Sequence, residues 1–302
     1  MTRFHVTATG HSLNYLPEYV ATWRGFFAEE DLTVTATVPR PWDLVLDELA
    51  DGSADAALGG IWVPSMYRGR ATEYTPFAQI ANRAPLALVG RERAEDFSWA
   101  AMSGRTVSMK GSNGASVGLY LKLVLAEQGV DPRSVNYVQD LDGAMLSTLM
   151  AGGMGDYLVV DHPSALTLCA RTDLHVVAPL AVVTPDVPWS VYYAQGASDA
   201  ARVELQGRFV RGLGRAMDWI DEHPAAEYRD FLARTFPAFD PDLLVRVADE
   251  YRTNSMWTTP VIDRAGYDRW QTGIAAGHLV TEPIAYEEFV DSRPTNLLPT
   301  AR

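Results

Sequence analysis

The hydrophobic pattern of this chain switches between a period of two and a period near 3.6, and each switch marks an element. Residues 32–38 alternate threonine with apolar side chains, as a half-buried strand does, and residues 4–8 and 54–58 read as strands too. Leu16, Tyr19, Val20 and Trp23 recur at helical spacing, which predicts a helix from about Asn14 to Phe26 or Phe27. A second helix over residues 42–50 stops at Gly52, and a third over 63–67 follows the loop Gly59-Gly60-Ile61-Trp62. Residues 77–80 and 86–89 read as strands, separated by Asn82-Arg83-Ala84-Pro85. The most informative stretch is 106–129. A short strand, 106–109, breaks at Gly111-Ser112-Asn113-Gly114, and a helix then carries Val117, Leu121, Val124 and Leu125 as far as Gly129.

The same grammar then repeats. Segment 123–160 aligns with segment 26–59: a helix end, a strand (134–138 against 33–38), a helix (143–151 against 42–50) and a Gly-x-x-Asp turn. Those turns are Gly52 to Asp55 and Gly153 to Asp156, and each feeds a short apolar strand. Four elements in the same order predict two similar α/β lobes. From His175 the pattern changes: 175–183 and 189–194 read as extended, the latter returning the chain to the first lobe. Helices over 202–222, 225–235, 241–255 and 263–277 follow. The expected division is residues 1–88 plus 192–302 in one lobe and 89–191 in the other.

Composition narrows the partners. The chain has 302 residues, 21% of them charged, and a net charge of −13, which argues against nucleic acid or an acidic membrane surface. No run of eighteen apolar residues occurs, so no membrane insertion is expected. Cys169 is the only cysteine, which excludes a disulfide framework and a thiolate metal cluster. His5, His11, His162, His175, His223 and His278 are scattered without metal-ligand spacing, so neither metal nor cofactor is expected. The start, MTRFHVTATGHSLNYL, lacks the pattern of a secretory signal. That predicts a cytoplasmic protein, or a periplasmic or extracellular one whose signal was trimmed.

A strand that turns through glycines into a helix leaves N–H groups unpaired. With the helix dipole, the Ser112, Asn113 and Gly114 N–H groups form a seat for a carboxylate, phosphate or sulfonate. The plain alternative is a turn whose glycines serve only geometry. No Lys-Ser/Thr pair follows and no GxGxxG is present, so this is neither a Walker loop nor a dinucleotide fingerprint.

Several stretches carry a family likeness: Asn14-Tyr15-Leu16-Pro17, Asp51-Gly52-Ser53-Ala54-Asp55 leading to Gly59, and Met102-Ser103-Gly104-Arg105-Thr106-Val107. Residues 111–116 and 151–156 and the run Asp161-His162-Pro163 extend it. Together they resemble the type II periplasmic solute-binding superfamily. Within it the chain is similar to the branch of thiamine-pyrimidine synthase-like proteins and alkanesulfonate- and taurine-binding receptors. The resemblance implies an α/β, two-lobed type II periplasmic-binding-protein fold with a ligand cleft between the lobes and a helical C-terminal region. The branch's cysteine-rich motif is absent, and where the aromatic desulfinases place a cysteine this chain has His11 and Ser12.

In open parallel sheets, ligands bind beyond the carboxyl ends of the strands. That rule selects His11, Ser12, Asn14, Tyr15, Trp42, Gly60 and Trp62 in the first lobe. In the second it selects Ser112, Asn113, Gly114, Asp140, Asp161 and His162, with Trp189 and Tyr192 near the crossing back. Such a set suits a small organic anion or heteroaromatic ligand. His11 and His162 are the candidate proton-handling groups, with Asp161 beside the latter. Each has a structural alternative: His11 as a helix cap, Asp161 as an N-cap before Pro163, Trp42 as core packing. Arg83 is either a carboxylate clamp or a surface residue. The function expected from these residues is an intracellular, cofactor-independent lyase of decarboxylase or dehydratase type. The alternative is the substrate-binding component of an ABC-type transporter, or a ligand sensor, for an anion such as a sulfonate or a pyrimidine precursor.

Overall fold

The structure, a computed structural model, describes residues 1–110, 115–139 and 141–299. Ten strands fall into two five-stranded sheets among these residues. The first sheet contains β1 (Thr2–Ala8), β2 (Leu32–Thr37), β3 (Ala56–Gly59) and β4 (Tyr74–Ala81). The second contains β5 (Leu86–Gly90), β6 (Thr106–Met109), β7 (Asn136–Val138), β8 (Tyr157–Asp161) and β9 (His175–Pro179). The chain then returns as β10 (Ser190–Gln195) to the first sheet.

The strand orders, β2-β1-β3-β10-β4 and β7-β6-β8-β5-β9, are the same pattern twice. In each, three parallel strands are followed by an antiparallel strand entering from a crossing segment. The repeated Gly-x-x-Asp turn has a physical reason. Asp55 Oδ2 accepts the His5 main-chain N–H at 2.7 Å, and Asp156 Oδ2 accepts that of Thr106 at 2.8 Å. Each aspartate therefore ties the strand it precedes, β3 or β8, to that strand's parallel neighbour, β1 or β6.

All of β5 pairs with β8 and β9, so the chain crosses before Leu86 rather than at Leu88. It returns before Ser190, where β10 begins to pair with β4. The crossing segments are bonded to one another: Val187 N–H donates to Asn82 O and Trp189 N–H to Ala81 O. Helices cover the sheets. The helix Ala200–Glu222, capped by Asp199, buries Phe209, Leu213, Ala216, Met217 and Ile220, with Phe209 stacked on Phe4 at 4.5 Å. The helix Arg264–Ala276 bridges the two lobes. Its Arg269 pairs with Glu127 on the helix Ser116–Glu127. Its Gln271 bonds Ser65 on the helix Trp62–Tyr67.

Two elements depart from the pattern reading. The apolar run after β9 is a helical turn, Leu180–Val183, rather than a continuing strand. Proline 179 lacks the N–H a ladder needs, and Leu180 and Ala181 turn inward together instead of alternating. The first helix, Leu16–Arg24, ends earlier than its apolar spacing suggests, because Gly25 adopts φ 82° and starts a new turn. No helix among the described residues is long and apolar enough to cross a membrane.

Candidate functional site

The carboxyl ends of β1, β2 and β3 place three loops side by side in the first lobe. After β3, the backbone at Gly59 and Gly60 is approached so closely that side chains there would collide. A Cβ on Gly60 would stand 2.5 Å from the Trp62 indole, and one on Gly59 would stand 2.8 Å from Thr9 Cγ2. Trp62 thus lies over the Gly60 turn, and Trp42, half-buried after β2, meets it edge-on at 5.8 Å. Tyr15 is buried with its hydroxyl 3.5 Å from Thr9 Oγ1, and burial pushes its phenol up, so it stays a neutral donor. Asn14 is held from two sides. Its Nδ2 donates to Ser190 Oγ at 3.2 Å, and its carbonyl accepts from Trp257 Nε1 at 2.9 Å. The Ser12 hydroxyl bonds Asn14 Oδ1.

The second lobe presents fewer described groups. Ser112, Asn113, Gly114 and Asp140 lie outside the described residues. Two neighbours that sequence reasoning passed over are described. Lys110 follows β6 directly, its methylenes packed by Gly143, and it forms no ion pair with a described residue. Gln139 follows β7 and sits so close to Gly118 that a Cβ there would stand 2.8 Å from its Oε1. Both positions were visible as the residues straight after predicted strands.

Several candidates make contacts within the fold. His11 places Nε2 2.9 Å from the Thr235 carbonyl, and its ring packs between Tyr19 and Phe236 at 4.9 and 5.0 Å. It therefore anchors the β1 loop to the helix Arg229–Thr235. Asp161 accepts the Ser164 N–H at 3.0 Å as a helix cap. His162 is 2% exposed, with Nδ1 3.1 Å from Glu250 Oε1 and its main chain bonded to Pro85 O, so it ties the second sheet to the C-terminal helices. Arg83 is neither clamp nor free surface. It pairs with Asp186 at 2.8 Å and donates to Thr184 O at 2.7 Å, joining the two crossing segments. Trp189 stacks on Trp270 and meets Tyr120 edge-on.

Tyr192 is fully buried and donates its hydroxyl to Glu18 Oε2 at 2.6 Å. Strand alternation turns it toward the first-lobe core, while Tyr193 beside it faces Tyr74 and the Gly59 turn. Burial pushes the Glu18 carboxyl up to about 7, an effect the Tyr192 hydrogen bond only partly offsets. Burial likewise pushes the Cys169 thiol up to about 11, which leaves it inert as a nucleophile. Among the described residues no group of three or more His, Cys, Asp or Glu side chains could hold a metal ion.

Comparison with known proteins adds to this geometry. The family model described as NMT1/THI5 like matches residues 12–227. YtlA of Bacillus subtilis (strain 168), whose name describes a binding protein, is 26% identical over 299 residues, covering 96% of this chain and 88% of its own. Among solved structures, the ligand-binding component of an ABC-type import system from Staphylococcus aureus aligns with a TM-score of 0.74 at 14% identity. That alignment covers 98% of each chain. The alkanesulfonate-binding protein SsuA from Xanthomonas axonopodis pv. citri, solved with MOPS, aligns with a TM-score of 0.67 at 14% identity, covering 96% of this chain and 98% of its own. These likenesses match the two-lobed type II periplasmic-binding fold. They do not support the expected lyase, nor a cytoplasmic location.

Proposed function

The chain belongs to the NMT1/THI5-like family, and from that premise we propose that it is the ligand-recognition component of an ABC-type importer for a small organic anion. The lobes close on the ligand, and closure is the whole mechanism. One observation carries the reading: Lys110, without a carboxylate partner among the described residues, stands at the carboxyl end of β6. The aromatic pair Trp42 and Trp62 and the neutral donors Thr9 and Tyr15 stand at the corresponding ends in the first lobe. A cation with flat apolar surfaces and neutral donors suits a sulfonate or carboxylate on an alkyl or aromatic body. The Ser112–Gly114 N–H groups are proposed as a further part of the anion seat.

The binding reading makes no use of histidine chemistry: His11 Nε2 bonds the Thr235 carbonyl, and the buried His162 ring lies against Glu250. Binding relatives also favour a location outside the cytoplasm. Calorimetry of the full chain against alkyl- and arylsulfonates, the matching carboxylates and pyrimidines tests the reading. Saturable binding of one anion class, with the ligand recovered unchanged by mass spectrometry, is the expected result. Turnover of any of them would restore the lyase.

A further inference from the structure

Glu18 is a carboxyl group that the binding reading does not use, and its surroundings are unusual. It sits in the first turn of the helix Leu16–Arg24, three residues after Tyr15, and is 4% exposed. Phenols lie near it: Tyr15 from the turn before its helix, Tyr19 from the helix and Tyr192 from β10. No arginine, lysine or histidine pairs with it among the described residues. The arginines of the neighbouring helix Ala200–Glu222 are engaged elsewhere, Arg208 with Asp31, Arg211 with Glu30, and Arg215 with Glu29 and Glu30. His11 packs on Tyr19 and bonds Thr235 O. An open groove of about 330 Å³, lined by Glu18, Tyr19, Trp23, Val34, Phe231 and Thr235, gives water and protons a route to it.

We propose that Glu18 is a positioning residue whose neutral carboxyl lets residues 12–15 stay packed against β10, so that its ionisation in this buried, cation-free place loosens them and weakens anion binding. Two bonds reach β10 from the start of this helix: Glu18 to Tyr192 and Asn14 to Ser190. A neutral carboxyl tolerates this buried, cation-free setting, and a carboxylate is drawn toward the water of the groove. Ionisation therefore pulls the side chain toward the groove and draws the helix start, with Asn14 and Tyr15, away from β10. The carboxyl's folded-state position, about 7, lies above its ordinary 4.5. The stability it contributes is thus complete below about 4.5 and is lost as pH rises through 7.

The anion arm of this inference rests on the binding reading above, so its test has a ligand-free arm. In the first arm, a sulfonate such as benzenesulfonate, whose charge is constant, is titrated by calorimetry into the full chain from pH 5.5 to 8.5. Wild-type affinity falls about 10-fold across neutrality, for a coupling of one pH unit, while Glu18→Gln stays flat at the low-pH value. In the second arm, amide exchange at residues 13–16 is followed without ligand. Protection decreases with pH in the wild type beyond intrinsic exchange, and does not in Glu18→Gln. Tyr192→Phe removes the bond that favours the carboxylate and moves the wild-type transition to higher pH. If no sulfonate binds at any pH, the anion reading fails for sulfonates and the second arm alone judges Glu18. Equal pH dependence of loop protection in wild type and Glu18→Gln overturns the inference.

Discussion

In the first lobe Asp55 takes the His5 N–H, and in the second Asp156 takes the Thr106 N–H, so the two strand cores are tied in the same way. Their site loops are not. Asn14 is bonded to Ser190 and to Trp257, and Trp62 is folded over a turn that admits only glycine. Lys110 of the second lobe rests on Gly143 and forms no ion pair with a described residue. One lobe presents a surface shaped before the ligand arrives; the other brings a long, adaptable cation. On the binding reading proposed above, the difference teaches how a repeated scaffold divides recognition: shape and neutral donors from the first lobe, charge from the second.

The division breaks most clearly at Gly60. Gly60→Val must displace the Trp62 indole, and we expect affinity for the bound anion to fall about 100-fold, roughly 3 kcal/mol, by calorimetry. Unchanged affinity would mean that the aromatic pair is not part of the site. Lys110→Met should cost about 10-fold or more in anion affinity, the range of a hydrogen bond to a charged group, while leaving the melting temperature alone. A drop in melting temperature without an affinity change would make Lys110 structural and erase the contrast between lobes. The matched aspartates sharpen it: Asp55→Ala and Asp156→Ala should each destabilise by about 1–2 kcal/mol in urea unfolding, as the loss of a bond to a charged acceptor does. Unequal costs would show that the two strand cores are less alike than their bonding suggests. His11→Ala should have the smallest effect, under about 1 kcal/mol of stability, with ligand affinity within about 2-fold of wild type. A large loss of affinity there would return His11 to the site.

Much of the scaffold was legible before the structure. Alternating threonines gave away β2, helical spacing gave away the helix after β6, and the paired Gly-x-x-Asp turns announced the repeat that appears as two sheets of one order. The proposed site was legible as loops rather than as side chains. Gly60, Trp62 and Tyr15 converge where the strands end. Tyr192 belongs to the buried core, because a shift of one residue in a strand reverses the face on which a side chain lies, and no local pattern distinguished it from Tyr193. Arg83 and His162 looked like chemistry because charged residues near a crossing often are. Their partners, Asp186 and Glu250, lie far along the chain.

What the sequence determined by itself is whatever depends on neighbours a few residues away: periodicity, turn glycines, the Asp161 cap, and the absence of a thiolate cluster. The tertiary structure alone decided which polar groups are already satisfied. It bonded His11 to a carbonyl in a helix of the C-terminal region, left Lys110 without a carboxylate among the described residues, and buried Glu18 among phenols. A side chain's availability for a ligand is set by what surrounds it in space, and those surroundings are assembled from segments that local pattern cannot bring together.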